Sequence, residues 1–319
     1  MKFFSRIFII SLILLSCKNE DKNSIDVSKI EVDFSVERFE EAFYNASPES
    51  LVEVKKRFPL LFPIAESDSV WLAKINDQDE QDLFKESQVV FSDFNAIEKQ
   101  FTSLFKHITH YNPTFKAPKV ITMLTNIDYE NRVVYADSLL LVSLDVYLGK
   151  QHRFYADYPL YIKENNSKEH LIVDAANAII NTQLKTANHR SFLSKIVEEG
   201  KKSYLLDCYL PFVSEKEKTG YSMNKLLWAQ QNEEQVWKFF MEKELLYSTD
   251  TRLNKRFIEN APFSKFYTGQ DNQSPGKIGG YIGWQIVRSF MKQNDVSLQK
   301  LITMDAQRLL DQSKYKPRK

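Results

Sequence analysis

The sequence predicts an α+β protein, mostly helical, with one small β-sheet in the middle of the chain. Three observations predict it. The β-branched and apolar runs Lys119–Leu124, Arg132–Tyr135 and Ser138–Leu144 cluster in one stretch, bounded by Pro118, Asn126, Asp128 and Asp137. Amphipathic helical patterns flank that stretch on both sides. The order helices, strands, helices segregates the elements and argues against an alternating parallel α/β fold.

Ile30-Glu31-Val32-Asp33-Phe34 alternates apolar and acidic residues, as a half-buried strand does. Val36–Tyr44 reads as a short helix. Ser47-Pro48-Glu49 opens another, with Ser as N-cap and Pro at the first helical position. That helix carries Leu51, Val54 and Phe58 and stops before Pro59. Val70–Ile75 and Asp79–Phe91 follow. Asp93–Tyr111 places Phe94, Ile97, Phe101, Leu104, Phe105 and Ile108 at three-to-four spacing, a strong amphipathic helix. After the sheet, helices are expected over 169–184, 189–206, 222–247, 277–294 and 297–312. No internal repeat is visible.

The first residues read as a secretory signal. Lys2 and Arg6 give a positive start, and Ile7–Leu15 is an apolar run broken only by Ser11. A membrane span needs roughly 20 apolar residues, so this run is too short. Leu14-Leu15-Ser16-Cys17 resembles the bacterial lipobox, which implies cleavage before Cys17 and attachment of acyl chains, palmitate among them. The expected organisation is a signal peptide over 1–16 and a lipidated flexible tether over 17–28. One large domain over 29–319 follows, divisible into lobes of 29–168 and 169–319. Lys18 to Ser24 holds nothing to bury and suits a solvated tether. Two or more acyl chains would hold the protein stably at a bilayer, where one binds marginally.

The 43 Lys and Arg nearly balance the 42 Asp and Glu, and stay balanced once Lys2 and Arg6 leave with the signal. That balance gives no global pull toward nucleic acid. The 23 Phe and 15 Tyr predict an aromatic-rich core. With Cys17 acylated, Cys208 has no partner in the chain, so no disulfide supports the fold.

Five histidines are present. His107 and His110 lie one turn apart at the end of a helix, where the helix dipole favours them. His152 sits in a polar loop and His189 begins a helix. His170 is the more informative. A zincin helix presents two histidines at i and i+4 with a Glu beside the first. Here Glu169 to Asn177 gives His170 and Asp174 at that spacing, with Leu171 where the base belongs. A register shifted to Val173–Asn177 keeps an acid, Asp174, and has no histidine. In the next helix, Glu199 shares the apolar face of Phe192 and Ile196 and precedes Gly200. A buried carboxylate needs a partner, and two roles are open for Glu199: an ion pair with a cation such as Arg288, or a site role. Pro275 to Val287 holds half of the eight glycines. Gly276, Gly280 and Gly283 fall near one helix face with Trp284 and Val287, a spacing that suits close helix packing. Without a flanking strand or a Gly-Lys-Ser/Thr, it is no nucleotide loop.

Ser143-Leu144-Asp145-Val146-Tyr147-Leu148-Gly149-Lys150, Glu198-Glu199-Gly200-Lys201-Lys202-Ser203-Tyr204 and the stretch from Ser274-Pro275-Gly276 to Arg288-Ser289 resemble the gliding-motility lipoprotein GldB family of Bacteroidetes. The resemblance runs through nearly the whole mature chain. It implies a lipid-anchored cell-envelope protein, on the outer membrane, working with gliding and secretion machinery proteins. More distantly, the same segments are similar to predicted zinc peptidases of gluzincin-like fold. There Glu199, Gly200 and Tyr204 match a Glu-Gly-x-Ala-x-Tyr motif, with Lys202 in place of Ala. Gly280-Tyr281-Ile282-Gly283 approximates a Gly-Tyr-x-x-Gly motif. That similarity implies a degenerate zincin-like domain whose metal is lost.

The resulting expectation is a structural or interaction component of gliding motility and its linked protein secretion, with no enzyme activity, no cofactor and no nucleic acid. The alternative is a zinc metallopeptidase with an unconventional site from His170, Asp174 and Glu199, where Asp174 or Glu199 would be catalytic. A third class is a carboxylate-based cell-wall hydrolase using Glu198 or Glu199.

Overall fold

In the computed structural model, residues 25–136, 138–184 and 190–318 are described. The signal, Cys17 and most of the tether lie outside these residues, as do His189 and Asp137. The chain begins with β1 (Val36–Arg38), α1 (Phe39–Tyr44), α2 (Leu51–Arg57), α3 (Asp68–Asn76), α4 (Gln78–Val90) and α5 (Asn95–Tyr111). Then come β2 (Lys119–Met123), β3 (Val133–Ala136) and β4 (Leu139–Ser143). The helices α6 (Leu160–Lys163), α7 (Lys168–Gln183), α8 (Phe192–Tyr209) and α9 (Glu215–Thr219) follow. After them run α10 (Met223–Gln231), α11 (Glu233–Glu242), α12 (Arg252–Phe257), α13 (Ile278–Gln293), α14 (Leu298–Thr303) and α15 (Ala306–Ser313). This is the expected α+β class.

The sheet has the strand order β1-β2-β4-β3. β1 runs parallel to β2, and β2 parallel to β4, while β3 and β4 are antiparallel. The three middle strands match the sequence reading within about a residue. The first strand does not. Residues 30–34 alternate between half-buried and exposed as expected, and Phe34 packs edge-on against Phe105 at 5.0 Å. Among the described residues they have no ladder partner. The strand is instead Val36–Arg38, where a helix was expected, because Val36, Glu37 and Arg38 pair with Val120, Ile121 and Thr122. A buried polar knot fixes that register. Arg38 bonds the fully buried Glu40, and Glu40 accepts from Thr122 Oγ1 of β2 at 2.6 Å.

Other corrections have local causes. The segment Ser47–Ser50 forms a turn tied by Ser47 and Ser50, so α2 starts at Leu51 and Pro48 is not helical. The single helix expected over 222–247 is broken at Asn232, whose amide donates back to the Trp228 carbonyl at 2.8 Å. Such side-chain bonds compete with the helix ladder. The helix expected over 297–312 divides where Asp305 caps α15 by accepting from Arg308 N at 3.0 Å.

The core is aromatic-rich. Phe39, Phe43, Phe58, Phe62 and Trp71 gather under the first helices. Phe192, Phe239, Phe240 and Phe257 do so in the second half. Between them, α8 and α13 touch backbone to backbone. A Cβ on Gly200 would lie 2.2 Å from the Gly283 carbonyl, and one on Gly283 would lie 1.6 Å from the Ile196 oxygen. Gly276 precedes the helix, and Gly280 faces the Glu199 side chain with ordinary spacing, 3.4 Å. The packing face is therefore carried by Gly279 and Gly283, not by Gly276 and Gly280. Cys208 is buried and free, and burial pushes its thiol up to about 12.

Just beyond β4, Asp145 is fully buried. Its Oδ2 accepts from the Thr125 and Ile127 backbone N–H groups at 3.0 and 2.7 Å. Asn126 and Ile127 both hold left-handed backbone, φ 59° and 61°, to present those groups. That is a strained state for a β-branched residue. Asp145 Oδ1 has no hydrogen-bond partner, and burial raises the carboxyl to about 6. An ordinary Asp titrates near 3.9, so the separation corresponds to roughly 3 kcal/mol. A carboxyl raised in this way favours the folded state fully below about pH 4, and the contribution is lost as pH rises through about 6. The stability of the wild type relative to Asp145→Asn should therefore fall by roughly that amount between pH 4 and 6.5. Urea midpoints of both proteins across that range would check it; parallel curves would refute it.

Candidate functional site

Helix α7 carries the expected i, i+4 pair on one face. His170 Nε2 lies 3.4 Å from Asp174 Oδ1, and His170 Nδ1 lies 3.7 Å from Glu217 Oε2 of α9. Asp174 Oδ2 accepts from the Tyr147 hydroxyl at 2.8 Å and faces Arg132 at 3.8 Å. Arg132 is held in turn by the carbonyls of Ile162 and Asn165 and by Asn166 Oδ1 at 2.7 Å. Burial alone would lower the His170 pKa, but Asp174 and Glu217 outweigh it and raise it. Burial works against the Asp174 carboxylate too, yet His170, Arg132 and Tyr147 hold it below the usual range. The nearby imidazole and Lys216 draw Glu217 down to about 2. The arrangement is an imidazole between two carboxylates that favour its charged form, with a tyrosine and an arginine behind.

Glu199 stands on α8. It pairs with Lys202 of its own helix at 2.7 Å, and its Cβ meets Gly280. The partner expected from sequence, Arg288, is engaged elsewhere. Arg288 donates to both Asp207 oxygens at 2.7 and 2.9 Å and to Glu215 Oε1, and its guanidinium stacks on Trp284. Asp207 also accepts from Trp284 Nε1 at 2.9 Å and pairs with Lys218 at 3.1 Å. Glu198 projects beside Lys201 at 3.8 Å, and Lys201 itself donates to the Ile302 and Met304 carbonyls.

Three cavities meet between α7, α8, α9 and the start of α13. One of about 530 Å³ holds Arg132, His170, Asp174 and Asn177 in its wall. A second of about 220 Å³ is lined by Asn177, Glu199, Lys202, Gly280 and Trp284. A third of about 340 Å³ is more apolar, with Leu160, Tyr221, Ala261, Pro262 and Pro275. Lys277 lines all three. Of the three residues singled out from sequence, His170 and Asp174 share one cavity, while Glu199 lines the neighbouring one. Among the described residues no three His, Cys, Asp or Glu side chains are grouped to hold a metal ion.

The remaining histidines stand apart. His107 is buried with Nδ1 2.7 Å from the Ser103 carbonyl, whereas His110 is exposed. His152 meets Glu86 at 3.3 Å. Sequence reasoning missed Arg132, Tyr147, Glu217 and Lys277 as site residues. Tyr147 and Lys277 lie inside segments that carried the family resemblance, which was the available signal. Nothing local marked the other two.

The sequence model of the family described as gliding motility protein GldB matches residues 20–317. The chain belongs to that family. Neither the curated proteins nor the solved structures include a match to it.

Proposed function

We propose, proceeding from membership of the gliding motility protein GldB family, that this chain is a lipid-anchored component of the cell envelope. It acts in gliding motility and its linked protein secretion by holding other machinery proteins, not by catalysis. The observation that carries the reading is the family match across residues 20–317. Among the described residues no helix is long and apolar enough to cross a membrane, so attachment in this reading rests on acylation of Cys17 after removal of a signal peptide. The outer membrane is the proposed site. A degenerate peptidase-like scaffold accords with the ion pairs made by the would-be ligands: His170 with Asp174, and Glu199 with Lys202.

Cys17→Ser is the test. The variant is expected to leave the detergent phase on phase partitioning, and cells carrying it as the sole copy are expected to stop gliding. Wild-type protein should sediment with the outer membrane on density separation. A variant that still enters the detergent phase and supports gliding would overturn the reading.

A further inference from the structure

The cations of the groove are almost all spoken for. Arg132 faces Asp174, Lys202 pairs with Glu199, and Lys218 pairs with Asp207. Lys225 donates to the Asn272 and Ser274 carbonyls, both at 2.6 Å. Lys277 is the exception: it lines all three cavities, and its ammonium has no hydrogen-bond or ion-pair partner among the described residues. Its backbone is left-handed at φ 55°, a conformation a lysine seldom takes, directly before α13. Burial pulls its ammonium below the ordinary value, while Glu199 and Asp174 oppose that pull.

A second, independent observation lies in the same groove. The His170 side chain is 6% exposed, and its Nδ1 is buried with no hydrogen-bond partner. Its charge partner, Glu217, stands 3.7 Å away, so the ring nitrogen still has a hydrogen bond to make, and leaving it unmade is costly. Asn177 and Asn260 also line the groove and make no side-chain hydrogen bond to the described residues. Each offers a donor and an acceptor, the complement of a peptide group.

We propose that this groove binds a peptide segment bearing a carboxylate. The carboxylate meets Lys277, where the positive end of α13 adds to the attraction. The peptide backbone runs along the asparagines, and an apolar side chain enters the 340 Å³ cavity lined by Leu160, Ala261 and Pro262. The size of the groove exceeds what a small ion fills. Asp174 and Glu199 disfavour a phosphate dianion more than a carboxylate monoanion. This inference rests on the groove and goes beyond the proposed role in gliding. Its test is read in vitro, so its failure would leave that role standing.

The experiment uses the full lipidated chain in nanodiscs and calorimetric titration with four probes. These are N-acetyl-Leu-Tyr with a free carboxylate, its C-terminal amide, N-acetyl-Leu-Asp-amide, and inorganic phosphate. Binding of the first probe identifies a chain terminus as the ligand; binding of the third identifies an internal acidic side chain. The neutral amide and phosphate should bind at least tenfold more weakly. Lys277→Asn keeps a residue tolerant of left-handed backbone and should weaken the acid probe tenfold or more, whereas Lys292→Asn, exposed on the same helix, should not. In the wild-type chain the acid probe should also slow acetylation of Lys277 by acetic anhydride several-fold, read by peptide mass mapping. Equal binding of the neutral amide, a preference for phosphate, or an unchanged acetylation rate would each overturn the proposal.

Discussion

Gly283→Ala is expected to be the most destabilising single methyl in this protein, costing about 3 kcal/mol or more. The added Cβ would stand 1.6 Å from the Ile196 carbonyl oxygen and 2.5 Å from its carbon. Both atoms belong to the backbone of α8, so no side chain can swing aside. The helices must part, and the fully buried Ile196, Ile282 and Ile286 lose packing with them. Alanine is the better helix former by about 1 kcal/mol, which offsets only part of the loss. Gly280→Ala makes the control. Its Cβ would meet Glu199 Cβ at 3.4 Å, an ordinary contact, so its melting temperature should hold or rise. Thermal melts of the two variants decide the matter. Equal melting temperatures would mean that α8 and α13 do not approach as described.

Asp207→Ala is expected to follow closely, at about 3–5 kcal/mol. Asp207 is 8% exposed and gathers Arg288, Lys218 and Trp284 Nε1 around one carboxylate. Its removal leaves the mostly buried Lys218 and Arg288 side chains without their main counter-charge. Glu215→Gln touches the same arginine from a more exposed side, and should cost no more than about 1 kcal/mol. Urea unfolding midpoints give both values. If the two variants lose equal stability, the buried carboxylate is not the centre of the cluster.

The sheet strands at 119–144 were legible because a short apolar run bounded by turn residues carries its own signal. Helix α5 was legible because five fully or nearly fully buried side chains repeat at helical spacing. β1 was misplaced because its partners lie far along the chain. Alternation at 30–34 reports burial, but only pairing with Val120 and Thr122 makes a strand, and that is invisible locally. The breaks at Asn232 and Asp305 arise from single side chains capturing backbone groups. On the glycine face Gly283, Trp284 and Val287 were read correctly, but Gly280 was taken in place of Gly279, and Gly276 precedes α13. In the site, the His170–Asp174 spacing could be read from one helix. Arg132 and Lys277 reach the groove, and Tyr147 and Glu217 reach the pair, from other elements, so folding alone brings them there.

The position of β1 also bears on how the domain carries load. It is an edge strand, the first regular element of the described chain, and it joins the sheet through three residue pairs with β2. A pull entering from the N-terminal end must pass through Val32, Phe34 and then this short parallel ladder before it reaches the helices. The ladder is short for such a task, but Arg38 reinforces it by bonding Glu40 and the Phe91 carbonyl, and Glu40 clasps Thr122. The mechanical weak point of the molecule is therefore predicted by chain order: tension would free residues 30–35 and then peel Val36–Arg38 from the sheet edge while the glycine-locked pair of α8 and α13 stayed closed.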